Sequence, residues 1–178
     1  KVEHPEKPPC LDTSTPLSYD VSESNRHVRV VNDAGGSLVT QLASNTSPLA
    51  WTDKPSGLTV AAASVRWGRV ARLDLATIEA GAVRLRTSTN EGNSYSVATT
   101  IDAGPGNTQV CSIVGASNAR HIYWRNSAGA VKGQILDNAG NVVHATFTAY
   151  AGPVGDSPIS VDESTRVGAA HRLVMHVS

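Results

Sequence analysis

Three stretches of this chain repeat one short pattern, and this repeat limits the possible folds more than any single residue does. His27-Val-Arg-Val-Val-Asn-Asp-Ala-Gly35 aligns with His121-Ile-Tyr-Trp-Arg-Asn-Ser-Ala-Gly129, and residues 71–81 occupy the same position between them. The Ala-Gly pairs at 34–35, 80–81 and 128–129 set a period of 46 to 48 residues, and a fourth copy begins at His171. A unit of this length must stack on copies of itself to bury its faces.

Composition limits the partners. The 15 basic and 15 acidic residues cancel, so no excess charge attracts the chain to nucleic acid or an anionic membrane surface. No apolar run reaches the roughly 18 residues of a spanning helix, so we expect no membrane insertion. No sequence motif indicates a cofactor or a metal ion. Protein subunits and glycans remain as the expected partners.

The chain divides into an arm and a repeat domain. Residues 1–16 contain four prolines and show no hydrophobic periodicity, which predicts an extended arm. Residues 17–178 form the blade-repeat domain, with predicted units at about 17–53, 54–103, 104–150 and 151–178.

Each unit is predicted to contain four short strands. In the second unit these lie at 58–65, 70–78, 83–87 and 94–101, with turn residues between them. The first unit has a poorer fourth strand around 49–51. No window shows a helical apolar face, so the fold is all-β. Four antiparallel strands in each repeat are typical of a β-propeller blade, incomplete as a ring within one chain, and a β-sandwich or jelly roll is the alternative.

One turn resembles a known motif. Ser88-Thr-Asn90-Glu-Gly92-Asn-Ser-Tyr95 is similar to the Asp-box of sialidase-type propellers, with Asn for Asp and Tyr for Trp. Asp137-Asn138-Ala-Gly140-Asn141 occupies the same position in the third unit. In that motif a polar side chain bonds the hairpin backbone and glycine supplies a positive φ. We therefore predict structural turns at Asn90, Gly92, Asn138 and Gly140.

The resemblance extends to blade repeats of bacterial and phage surface proteins, but it does not imply sialidase activity here. Sialidases use an arginine triad, a Tyr-Glu nucleophile pair and an acid/base aspartate spread over six blades. This chain has fewer than four predicted blades and no Arg-Ile-Pro motif near its start. Strand alternation predicts solvated positions for most of its clustered arginines, Arg66, Arg69, Arg72, Arg84 and Arg86.

Four residues are candidates for ligand binding. Tyr123, Trp124 and Arg125 combine stacking rings with a planar cation, which suits a sugar ligand, and Trp67 is a similar candidate if exposed. The alternative is that these are ordinary core and surface positions of strands, which is the commoner outcome.

Histidines and cysteines give two further hypotheses. His27, His121 and His171 are aligned by the repeat, and symmetric histidines suit a metal or pH-sensitive site, although a turn-capping role is favoured. Cys10 and Cys111 are candidates for a disulfide that attaches the arm, with two buried free thiols as the favoured alternative.

The sequence therefore predicts a non-enzymatic structural or adhesion module of a virion or an extracellular surface assembly. Examples are a phage fibre, spike or decoration protein. It is expected to assemble with other subunits as a homo-oligomer or within a larger assembly, and to bind a host glycan. An oligomeric lectin-like propeller is the alternative, and a sialidase-like enzyme fragment is the least favoured.

Overall fold

The computed structural model describes residues 17–22, 24–44, 49–68, 72–115, 117–152, 159 and 161. Within this described part the secondary structure consists of β-strands, in three four-stranded antiparallel sheets, with no helix. No helix of the described residues is therefore long and apolar enough to cross a membrane. The all-β prediction is confirmed, and we call each sheet a blade.

The blades follow one another along the chain. Blade 1 contains β1 (Ser18–Val21), β2 (His27–Asn32), β3 (Ser37–Ala43) and β4 (Thr52–Thr59). Blade 2 contains β5 (Ala62–Trp67), β6 (Leu73–Glu79), β7 (Ala82–Ser88) and β8 (Thr99–Asp102). Blade 3 contains β9 (Gln109–Val114), β10 (Arg120–Arg125), β11 (Val131–Leu136) and β12 (Val142–Tyr150). In each blade the strands pair in chain order.

The repeat predicted from the Ala-Gly pairs matches this architecture. The pairs at 34–35, 80–81 and 128–129 each lie in the turn between the second and third strands of a blade. The first strands lie side by side, with β1 next to β5 and β5 next to β9. The blades are therefore arranged around these inner strands, as in a propeller. We call the end with the second-to-third-strand turns the upper end and the opposite end the lower end.

The strands at the junction of the first two units differ from the predicted ones. The first unit's outer strand is β4, Thr52–Thr59, rather than a strand around 49–51, and the first strand of the second unit begins at Ala62 rather than at residue 58. Pro55 and Gly57, residue types typical of turns, both lie within β4. An edge strand tolerates proline, and the register shift opposite Leu38 and Val39 accommodates the irregular backbone, with φ of +69° at Gly57.

The core lies between the blades rather than inside one of them. Blades 1 and 2 enclose a cluster that includes Val28, Val30, Leu38, Val65 and Leu75. Blades 2 and 3 enclose a second cluster, which contains Ala76, Ile78, Val83, Leu85, Ile101, Val110, Ile122, Trp124 and Leu136. Successive strand residues point to opposite faces of a blade. We call the face toward the blade earlier in the chain the preceding side, and the face toward the blade later in the chain the following side.

A repeated hydrogen bond connects the inner strands. The Val65 backbone N–H donates to Ser18 Oγ at 3.1 Å, and the Ser112 N–H donates to Ser64 Oγ at 3.0 Å. The Trp67 N–H likewise donates to Asp20 Oδ2 at 2.7 Å. In each case a polar side chain on the following side of one inner strand satisfies the open edge of the next.

A further bond of this type reaches the fourth unit. The Ile159 N–H donates to Gln109 Oε1 at 3.0 Å, and the Ile159 side chain packs with Cys111 and Tyr123 on the following side of blade 3. Ile159 is therefore in contact with the inner strand of blade 3. The rest of the fourth predicted unit, apart from residues 151, 152 and 161, lies outside the described residues.

Two glycines with the same backbone conformation test how tightly the upper turns pack. Gly36 and Gly81 have φ of +79° and +83°. A Cβ at Gly36 meets nothing within 4 Å, whereas a Cβ at Gly81 lies 2.5 Å from the Gly106 backbone nitrogen. Gly36→Ala should cost about 1–2 kcal/mol of unfolding free energy, and Gly81→Ala should cost about 1–3 kcal/mol more, because the backbone must move. Urea unfolding measures both, and equal losses would contradict this packing.

Candidate functional site

The lower end carries a polar arrangement that occurs at both interfaces between blades. Arg26, just before β2 of blade 1, forms a two-point ion pair with Glu91 in the third-to-fourth-strand turn of blade 2. The pair is partly exposed, with 35% and 39% of the two side chains accessible. The hydrogen bond with Arg26 lowers the pKa of Glu91, against a smaller opposing effect of burial. Arg26 also lies over the Trp67 ring, 5.6 Å from its centroid.

Arg72 repeats this arrangement one blade further along the chain. It precedes β6 of blade 2 and bonds Asn138 Oδ1 in the third-to-fourth-strand turn of blade 3. Its Nη2 approaches the backbone and side-chain oxygens of Asn118 at 3.3 Å, and Asn118 in turn donates to Asn138 at 2.6 Å. We call each of these arginine-to-turn contacts a clasp. The clasp between blades 2 and 3 is the more buried, since Arg72 is 7% exposed.

Asp74 is the buried anion at the second clasp. Its Oδ2 accepts from Arg72 Nε at 2.9 Å, and its Oδ1 lies 3.1 Å from Arg120 Nε of blade 3. Thr87 donates a further bond at 3.1 Å. Only 2% of Asp74 is exposed. One carboxylate therefore compensates two buried guanidinium groups across the interface between blades 2 and 3.

The Asp-box-like turn of blade 2 is a hydrogen-bonded cage. Ser88 Oγ accepts from the Gly92 N–H at 2.8 Å, and Asn90 Oδ1 accepts from the Ser94 N–H at 3.0 Å. Tyr95 packs against the core between blades 1 and 2 and bonds Thr40 at 2.8 Å. The predicted positive φ is confirmed, at +76° for Gly92 and, in blade 3, at +96° for Gly140.

The turn in blade 3 uses a different cap. Asp137 Oδ1 accepts from the Asn141 N–H at 2.8 Å, while the Asp137 N–H donates to the Asn141 carbonyl at 2.8 Å. Hydrogen bonds from the Asn141 side chain and from the turn backbone lower the pKa of Asp137. Asn138 points its amide oxygen to Arg72 instead of bonding its own turn. The two turns occupy the same position in their blades, and each receives an arginine from the blade before, but their internal hydrogen bonds differ.

Glu79 lies at the upper end of blade 2 beside two arginines. Arg86 donates to both of its oxygens, and Arg84 Nε is 3.5 Å from Oε2. Thr77 donates a further bond at 2.6 Å. Burial raises the pKa of Glu79, but the bonds from Arg86 and Thr77, with the two arginine charges, outweigh burial and lower it. Solvated positions are predicted for most of the five clustered arginines, but the side chains of Arg72 and Arg86 are only 8% and 13% exposed.

The predicted ligand-binding rings are not brought together. Trp124 is fully buried and faces blade 2, where its indole N–H donates to Asp102 at 2.8 Å. Tyr123 points to the opposite side of β10 and packs edge-on against Phe147, with centroids 6.2 Å apart. Because neighbouring strand residues alternate in direction, Trp124 points away from the side of β10 on which Tyr123 and Arg125 lie, so the three residues do not form one stacking surface. Trp124 is a core residue, contrary to its predicted role in stacking.

Trp67 is a candidate only if its ring is exposed, and the structure does not meet that condition. The residue is 8% exposed and belongs to the cluster between blades 1 and 2. The Arg26 side chain lies over its ring. Its burial leaves no free ring face for a sugar.

The histidine alignment is off by one residue. In the turns after β2 and β10, the positive-φ positions are Gly36 and Gly129, so structurally His27 corresponds to Arg120. His27 and His121 therefore point to opposite sides of their blades, and they form no symmetric site. His171 lies outside the described residues. Among the described residues, no group of three His, Cys, Asp or Glu side chains could hold a metal ion.

Cys111 is a free buried thiol on the following side of blade 3. Burial raises its pKa to about 12, with a smaller opposing effect of Arg66. Cys10 lies outside the described residues, so the disulfide hypothesis stays a prediction.

The described carboxylates all have structural partners. Asp74, Glu79 and Glu91 contact arginines. Backbone or side-chain groups donate to the rest, which are Asp20, Asp33, Asp53, Asp102 and Asp137. Every described Asp and Glu side chain is therefore engaged in a hydrogen bond or an ion pair within the protein. Sequence reasoning missed the clasps, although Arg26 and Arg72 lie at the same point of two successive repeats.

Comparison with known proteins identifies the fold. No protein-family model matches the chain, and no curated protein matches it. Among solved structures, a variant of the NanB sialidase from Streptococcus pneumoniae superposes with a TM-score of 0.62 at 14% identity, over 80% of this chain and 24% of that one. A protein of unknown function from Dyadobacter fermentans gives 0.60 at 13% identity, over 78% and 42%.

The catalytic domain of a GH62 α-L-arabinofuranosidase from Coprinopsis cinerea gives a TM-score of 0.50 at 14% identity, over 80% of this chain and 54% of that one. This chain thus spans about a quarter to a half of the structures that it matches. At such low identity the likeness shows a fold alone. The fold is a β-propeller-type arrangement of blades.

Removing the buried anion tests the second clasp. Asp74→Asn leaves Arg72 and Arg120 buried without a compensating charge, so it should destabilise by about 3–5 kcal/mol. The matched control is Glu91→Gln in the partly exposed clasp of Arg26, which should cost less than about 1 kcal/mol. Thermal or urea unfolding compares the two variants. Similar losses would contradict the difference in burial between the clasps.

The thiol environment gives a kinetic prediction. In a Cys10→Ser background, iodoacetamide at pH 8 should alkylate Cys111 roughly a thousandfold more slowly in the native protein than in urea, since burial and a high pKa suppress the thiolate. Mass spectrometry follows the reaction. Comparable native and unfolded rates would show that Cys111 is accessible.

Proposed function

We propose that this chain is a non-enzymatic structural and adhesion module of an extracellular or virion surface assembly, built from Asp-box-like propeller blades. The observation that carries the proposal is the occupancy of the described carboxylates. General acid–base and nucleophilic catalysis at a sugar need a carboxyl group directed at the substrate. Here the described carboxylates connect blades, cap turns or, as with Glu79 and Asp53, join strands within one blade.

The pairing of the buried and partly buried arginines also supports a structural role. Arg72 and Arg120 are directed at Asp74 inside an interface between blades, and Arg84 and Arg86 at Glu79. Arginines that bind a carboxylate of a ligand must instead have free donors in a cleft. A module whose charges serve rigidity is suited to carrying load or presenting a surface within a larger assembly.

An oligomeric lectin-like propeller is the second candidate, with a glycan as its ligand. Its support is the likeness to a sialidase and an arabinofuranosidase, two proteins named for action on sugars. Binding and assembly are compatible, so the two candidates differ in the ligand and not in the fold.

The deciding experiment measures turnover and binding on the same purified chain. A fluorogenic sialoside and a fluorogenic arabinofuranoside should both show no hydrolysis above a preparation from an empty expression host. Sustained turnover that follows the protein through purification would overturn the non-enzymatic proposal. Selective glycan-array binding with no turnover would favour the lectin-like candidate over a purely structural one.

A further inference from the structure

One position in the second strand distinguishes blade 1 from the other two blades. Arg29 lies three residues after the clasp arginine of blade 1, as Leu75 does in blade 2. Ile122 takes this position in blade 3, where it is paired with Ser112, the donor of the bond between inner strands. Leu75 and Ile122 are both 0% exposed core residues. Blade 1 therefore buries a guanidinium group, 7% exposed, where the other blades bury an aliphatic side chain.

Arg29 lies on the side of blade 1 that faces away from blade 2. Its neighbours Val28 and Val30 pack in the cluster between blades 1 and 2, and successive strand residues point to opposite faces. Gln41 and Asp53 follow Arg29 across the sheet, because the register pairs Arg29 with Gln41 and Gln41 with Asp53. The three side chains therefore form one row over β2, β3 and β4.

A chain of hydrogen bonds fixes this row. Arg29 Nε donates to Gln41 Oε1 at 2.6 Å, and Gln41 Nε2 donates to Asp53 Oδ1 at 2.7 Å. Gln41 is buried, whereas Asp53 is exposed to solvent. The buried amide thus fixes the orientation of an exposed carboxylate, which can still accept hydrogen bonds at Oδ2.

The ring of Trp51 lies beside this row. The guanidinium carbon of Arg29 is 4.3 Å from the centroid of the ring, which is the distance of a stacked cation–π contact. Trp51 is partly exposed, whereas Trp67 and Trp124 are buried. Because Arg29 covers one face of the ring, the accessible part of Trp51 belongs to the other face and the edges.

We call these four residues the Trp51 site, which consists of Arg29, Gln41, Trp51 and Asp53. The site combines an apolar ring of fixed orientation with a hydrogen-bond acceptor of fixed orientation. The C–H groups of a sugar ring pack on such an aromatic face, and its hydroxyl groups donate to the carboxylate. An exposed carboxylate repels an acidic sugar, and an apolar protein surface would bury that carboxylate away from water. The chemistry therefore favours a neutral glycan.

We propose that the Trp51 site binds a neutral oligosaccharide, with one sugar ring stacked on Trp51 and a hydroxyl group donating to Asp53. Arg29 and Gln41 are positioning residues that hold the ring and the carboxylate. This inference rests on the adhesion role under the proposed function, and it names the ligand class and the residues for that role. Hydrolysis of a glycoside uses two carboxyl groups, so a site with one carboxylate is suited to binding without cleavage.

The first test is binding to an array of neutral and sialylated glycans, followed by calorimetry with the neutral glycan that binds best. Trp51→Ala should weaken binding roughly tenfold or more, because the stacked ring is lost. Asp53→Asn should weaken it less, since the amide oxygen still accepts a hydrogen bond. The control is Lys54→Ala, which removes a charge on the opposite side of β4 and should keep the wild-type affinity.

The second test uses NMR, with the chain's own tryptophans as internal controls. Of the three indole N–H signals, the one from Trp51 is identified by its loss in Trp51→Phe. When the wild-type protein is titrated with the same glycan, the Trp51 signal should shift, while the signals of the buried Trp67 and Trp124 should not. This measurement needs no variant in the titration itself, so it decides the question even if Trp51→Ala fails to fold.

Three results would overturn the proposal: a wild type that binds no neutral glycan, a folded Trp51→Ala variant with unchanged affinity, or a titration that leaves the Trp51 signal in place. Circular dichroism establishes that each variant keeps its strands. Turnover of a fluorogenic sugar would overturn the proposed function without changing these outcomes. Glycan binding that does not depend on Trp51 would overturn the site and leave the adhesion role intact, so the two failures are distinguishable.

Discussion

The fold depends on hydrogen bonds that run from the side chains of one inner strand to the backbone of the next. Inner strands have an open edge, and a buried backbone N–H without an acceptor is costly. Ser18, Asp20, Ser64 and Gln109 supply acceptors at three successive interfaces. Each blade is therefore incomplete until the blade before it is in place, which explains why the core lies between blades and why the repeat spacing is kept.

The arginine clasps hold the lower end of the same interfaces. Arg26 and Arg72 each reach the third-to-fourth-strand turn of the next blade, so these turns act in joining blades as well as in reversing the chain. Burial makes the two clasps unequal. Asp74 compensates two guanidinium groups in a desolvated interface, where an unpaired charge is costly, whereas Glu91 is partly exposed to water. These arginine and carboxylate side chains thus hold neighbouring blades together.

The described carboxylates are occupied by structural contacts, and the described tryptophan rings in β5 and β10 are buried. Within the described residues, Leu17, Tyr19 and Val21 on the inner strand of blade 1 are 38%, 46% and 39% exposed, whereas the equivalent side of the inner strands of blades 2 and 3 is buried.

The sequence by itself determined the fold class, the repeat period and the positions of the second-to-third-strand turns, because glycine, asparagine and strand alternation act locally. It also predicted positive φ at Gly92 and Gly140. It did not determine the boundary at Pro55 or the directions of His27 and His121, since one bulge or one extra turn residue reverses the side that a strand residue faces. The burial of Trp67 and Trp124 and the pairing of Asp74 with Arg120 were decided only by the tertiary structure, because these contacts join residues from different blades.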